Sequence, residues 1–108
     1  MTDLEITKLC GAAMGFLIRT DHGEDGIWCN DSLGNNVGIY APLHDDAQAM
    51  ALVKRLRLTI SSHNHMFYCS KPQGGPEQWK FHSGNTDLNR AICETVARIQ
   101  KAKQKDTV

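Results

Sequence analysis

Three consecutive residues, His44, Asp45 and Asp46, form the densest group of chemically capable side chains in this sequence. An imidazole beside two carboxylates can begin a metal site or an acid/base pair. His63, His65 and His82 are candidates to complete it, because alternate residues of a strand face the same way and would bring His63 and His65 together. Two imidazoles and a carboxylate suit zinc or a related ion, which would make the chain a small metal-dependent hydrolase or nuclease. Cys69 offers another chemistry, a thiolate nucleophile polarised by His65 or His82. The tripeptide His63-Asn64-His65 is far shorter than the spaced histidine and asparagine pattern of the nuclease motif spelled the same way.

A structural explanation competes for the same residues. Asp45 stands where a helical pattern begins, so its carboxylate can accept from a free amide of the first turn, with Gln48 three residues on as capping partner. Asp46 adds negative charge where the helix dipole favours it, Pro42 fits an extended approach, and Leu43 can staple the helix start. This explanation assigns no catalytic residue and no cofactor. It leaves only His44 without a structural task.

The elements that must position these residues follow from periodicity. Thr2 and Glu5 form a capping-box pair, and Ile6, Leu9, Cys10 and Ala13 follow at helical spacing, so a helix is expected over 3–14 with Gly15 as its stop. FLIRT (16–20), IWC (27–29) and VGIY (37–40) read as short strands separated by the turn formers DHGEDG and DSLGNN. Ala49, Leu52, Val53 and Leu56 mark a second helix opening at Asp45. LTIS (58–61), MFYCS (66–70) and QWKFH (78–82) read as further strands, with KPQGGPE as a loop. Leu88, Ala91, Ile92, Val96 and Ile99 mark a third helix over 87–101, capped by Asn85 or Thr86. The expected fold is α+β: one α/β/α sandwich domain over 1–102, with three helices and a mainly antiparallel sheet of about four strands, then a flexible tail at 103–108.

Composition argues against several function classes, with RNA binding through Lys54, Arg55 and Arg57 left as the weakest reading. Twelve basic residues balance twelve acidic ones over 108 residues, so no net field draws in nucleic acid. Lys54, Arg55, Arg57, Lys101, Lys103 and Lys105 lie near expected helix C-termini, where cations complement the dipole. No apolar run approaches the roughly 20 residues of a membrane span. MTDLEITKLC lacks the apolar core of a signal peptide, and Cys10, Cys29, Cys69 and Cys93 form no CxxC pair, so reduced thiols in a cytoplasm are expected. Trp28, Tyr40, Trp79 and His82 are the candidate interaction surface, since exposed aromatic side chains anchor protein interfaces.

Three segments, DLEITKLCGAAMGF, YAPLHDDAQAMALVKRL and NRAICETVARIQKA, together resemble the phage ABA-sandwich family of small phage and prophage proteins. The PLHDD stretch, Pro42 to Asp46, is the most specific part of the likeness. The resemblance implies an α/β/α sandwich of phage or prophage origin at work in a bacterial host cytoplasm, and it implies no catalytic residues. DHGEDG, SHNHM and KPQGGPE depart from the family pattern. The expected function is protein binding, to itself as a homodimer or to a host protein, with inhibition of an anti-phage defence component as a specific version.

Overall fold

The computed structural model describes residues 2–22, 27–31, 33–71 and 82–106, and the side chains of all these except 19–22, 36, 37, 82 and 104–106. Thr2 starts the first helix as expected: its Oγ1 accepts from the Glu5 amide at 3.1 Å, which satisfies one free donor of α1 (Asp3–Ala13). The helix stops through a Schellman motif. The Phe16 amide donates to Gly11 O at 2.9 Å and the Gly15 amide to Ala12 O at 3.0 Å. Gly15 has φ +78°, a left-handed conformation that glycine adopts without a Cβ clash.

Two antiparallel meanders follow, separated by a helix. The first holds β1 (Leu17–His22), β2 (Ile27–Asn30) and β3 (Asn36–Tyr40) in that order; the second holds β4 (Thr59–His63), β5 (Met66–Ser70) and β6 (His82–Asn85). Between them lies α2 (Asp46–Leu56), and α3 (Leu88–Asp106) closes the described chain. The α+β class with three helices holds. Among the described residues the single sheet of about four strands is replaced by six strands in two sheets, because there each meander pairs with itself and α2 intervenes. Residues 78–81 of the expected strand QWKFH lie outside the described residues, as do 23–26 and 72–77 of the expected loops.

The third helix differs from expectation at both ends. Asp87 caps it, accepting from the Asn89 amide at 3.0 Å, while Asn85 accepts from the Asp87 amide at 2.9 Å and forms the turn before the cap. At the far end the helix runs past Lys101 to Asp106, since AKQKD contains no glycine or proline to stop it.

Cross-links fix the helices relative to one another. Arg90 donates to Asp3 at 2.9 Å, and Asn89 donates to Asp46 Oδ1 at 2.8 Å, so the first turns of all three helices meet. At the opposite end Arg55 Nε donates to the Ala13 carbonyl at 3.1 Å, so a side chain of α2 closes the C-terminus of α1. Lys71 does the same for α2, donating to the Leu56 carbonyl. Arg55 therefore has a structural partner, which accounts for part of the basic cluster at 54–57.

The core sits where the inner faces of both sheets meet the helices. Ile27 and Cys29 of β2, Cys69 of β5, Leu52 of α2, and Ile92, Cys93 and Val96 of α3 are all buried there. Burial of apolar surface at roughly 25 cal/mol per Å² supplies most of the stability. α3 is the shared element. Cys10 Sγ approaches Cys93 O at 3.5 Å on one side, and Thr95 Oγ1 lies 3.0 Å from Cys69 O on the other.

Candidate functional site

The residues that suggested catalysis are occupied in building the start of α2. Asp45 is the N-cap, its Oδ1 accepting from the Gln48 amide at 3.0 Å. Asp46 accepts from Asn89, as described above. Gln48 turns back to the preceding strand: its Oε1 accepts from the Ala41 amide at 2.6 Å and its Nε2 donates to Ile39 O at 3.1 Å. One side chain thus joins the end of β3 to the first turn of α2. Pro42 and Leu43 are buried beneath this turn, while the His44 imidazole is exposed.

His63 and His65 do not share a strand face. His63 ends β4 and pairs with Met66, whereas Asn64 and His65 form the two-residue turn, with φ +51° and +64°. Two successive left-handed residues make a type I′ hairpin, which breaks the alternation on which the histidine pairing depended. His82 opens β6, opposite Ser70. Among the described residues no three His, Cys, Asp or Glu side chains converge where they could hold a metal ion.

The cysteines are all free and buried. Cys69 is fully enclosed, and burial pushes its thiol up to about 11, so at neutral pH it is protonated and shielded from a substrate. A hydrogen bond with Cys93, followed by burial, holds the Cys10 thiol far above its ordinary value; burial raises Cys29 as well. These are small core residues, and the nucleophile considered at Cys69 is not supported by its surroundings.

Tyr40 lies in the core as well, although its type marked it as a surface candidate. It is 2% exposed, its ring meets Phe16 edge-on at a centroid distance of 5.2 Å, and Gly11 leaves room beside it. Its hydroxyl is buried with no hydrogen-bond partner among the described residues, and burial raises its pKa. Trp28 is half-buried on the opposite face of the same sheet. Trp79 lies outside the described residues, and the His82 side chain is not described.

The face that carries Trp28 presents the clearest functional geometry. Trp28 and Ile39 are direct cross-strand partners, and Leu17 pairs with Asn30, two residues along β2 from Trp28. All three side chains therefore sit on the side of the first sheet away from the core. Leu17 is 59% exposed and Ile39 47%. Leu33, 85% exposed, stands at the tip of the neighbouring turn.

That turn is firmly built. Asp31 Oδ1 accepts from the Asn35 amide at 2.8 Å and the Leu33 amide at 2.9 Å, and the Gly34 amide donates to Asp31 O at 3.0 Å. The Asn35 amide, with help from Leu33, holds the Asp31 carboxyl below its ordinary range. Sequence reasoning passed over Leu17, Leu33 and Ile39. Two signals were available: a leucine within the polar turn DSLGNN, and Ile39 out of phase with the buried Tyr40.

The outer face of the second sheet is different in kind. Thr59, Ser61 and His63 are exposed along β4, and Tyr68, the one aromatic ring on this face among the described residues, lies over Gly84 of the neighbouring strand. A Cβ on Gly84 would stand 2.7 Å from that ring, so glycine is what lets the tyrosine lie flat. Comparison with known proteins finds no match to this chain among protein-family models, curated proteins or solved structures.

Proposed function

We propose that this protein acts by binding another protein through the outer face of its first sheet, with Leu17, Trp28 and Ile39 as the contact and Leu33 at its margin. The observation that carries this reading is the concentration of exposed apolar side chains there. Aromatic and aliphatic anchors set on a sheet, beside a turn held by several hydrogen bonds, lose little entropy when a partner covers them.

The resemblance in the PLHDD segment supplies the setting for this proposal. The chain is then a phage or prophage accessory protein of the ABA-sandwich kind, including that family's layering, working in the host cytoplasm on a host protein such as a defence component. No helix among the described residues is long and apolar enough to cross a membrane. The metal-dependent hydrolase reading has no comparable support: Asp45 and Asp46 are engaged in the helix start, and His65 lies in the turn after His63 rather than beside it on a strand face.

The test is affinity capture from bacterial lysate by the wild-type chain and by a Trp28→Ser, Ile39→Asp double variant. Binding of a host protein to the first and its loss from the second, with unchanged thermal unfolding, is the expected result. Equal capture by both would move the site elsewhere.

A further inference from the structure

A second surface lies around the exposed side of α1. Its buried side is formed by Ile6, Thr7, Cys10 and Gly11. The other side presents Glu5, Lys8, Leu9 and Ala12 at helical spacing, and these line a groove completed by Ile18 of β1 and Lys101 of α3. The floor is apolar and the rim is charged. Leu4, 43% exposed, continues the apolar surface toward the helix start. This groove is separate from the Trp28 face, because Ile18 pairs with Cys29 on the inner side of the sheet.

We infer that this surface joins two copies of the chain about a two-fold axis, with the α1 helices antiparallel. The argument is self-complementarity. In a two-fold contact each feature must meet its counterpart on an identical surface, so a useful patch carries both partners of every pair. Glu5 and Lys8 are such a pair: one turn apart on the same side of α1, they exchange partners when two copies pack antiparallel, giving two reciprocal ion pairs. Neither has an ion-pair partner among the described residues. Leu4 lies on one flank of this charged seam, and Leu9 with Ile18 on the other, so their apolar surface is covered in the same step. Ala12 is small enough to let the helices approach. Lys101, which completes the groove, adds a second cation for the other copy's Glu5.

The inference does not rest on the proposed host partner, because the two surfaces use different residues. Sedimentation equilibrium of the full chain should show a monomer–dimer equilibrium at concentrations up to about 100 μM, the range in which a modest interface becomes visible. Glu5→Lys and Lys8→Glu should each weaken the dimer about tenfold or more, because each sets like charges against one another. The double charge swap should restore it. Thermal unfolding of each variant at low concentration checks that it folds, and Ala12→Glu provides a third disruption should either single variant fail to fold. A wild-type chain that stays monomeric throughout overturns the inference, leaving the groove to another occupant. So does a dimer indifferent to all three variants, or a double swap no better than the singles.

Discussion

The two meanders have the same antiparallel strand order, yet they use their outer faces oppositely. The first turns Leu17, Trp28 and Ile39 outward and keeps Ile27 and Cys29 within. Among its described residues the second shows serine, threonine and histidine to water and lays its outer aromatic, Tyr68, against Gly84. A lone aromatic laid on a glycine repairs a weak spot in a strand. Apolar side chains spread over neighbouring strands do not, and they leave a surface that favours a partner. Similar topology therefore permits a working face on one sheet and a solvated face on the other.

The comparison is most sharply tested within the first sheet. Ile27→Ala, on the inner face, should cost about 2–5 kcal/mol of stability through lost burial and the remaining cavity. Ile39→Ala, on the outer face, should cost under about 0.5 kcal/mol, in line with surface substitutions. Chemical denaturation measures both, and similar losses would show that the outer face is covered within the fold.

Attachment of the second sheet to α3 is the next largest effect. Thr95 is buried, and its hydroxyl lies 3.0 Å from Cys69 O and 2.9 Å from Ala91 O. Thr95→Val keeps the shape and removes the donor, so about 1–3 kcal/mol should be lost. An unchanged denaturation midpoint would show that the apolar contacts alone hold that sheet.

The turns contrast as well. The second meander turns through His65 in a left-handed conformation, where glycine is preferred, so His65→Gly should raise stability by about 1 kcal/mol. The first meander's long turn depends on an ionised Asp31. A carboxyl lowered from its ordinary 3.8 contributes fully above that pH and loses its contribution as pH falls through the lower folded value. The Leu33 and Asn35 amide resonances should therefore shift as the pH falls below 3.8, while those of Asn64 and His65 report no carboxylate titration.

Much of the scaffold was legible from residue order. Capping by Thr2 and Asp45, the glycine stop after α1 and the strand at VGIY are local effects, governed by side chains within a few residues of the backbone they organise. The number of sheets was not legible, because pairing partners are set by contacts far apart in sequence. The candidate site was least legible. Tyr40 and Ile39 are adjacent and both suit a strand, and only the packing of α1 against β1 and β2 decides that the tyrosine goes inward and the isoleucine out. His63 and His65 misled for a related reason, since strand alternation holds only where no turn intervenes.

α3 gives the molecule a constraint on the order of its assembly. Its Cys93 meets α1, its Thr95 meets β5, its Glu94 accepts from Ser83 of β6 and its Asn89 reaches α2. A nascent chain that has reached only β6 has both meanders available but not the helix against which β5 and β6 pack. Productive folding during synthesis must therefore wait for the third helix, and until it emerges the apolar inner surfaces are open to chaperones and to aggregation.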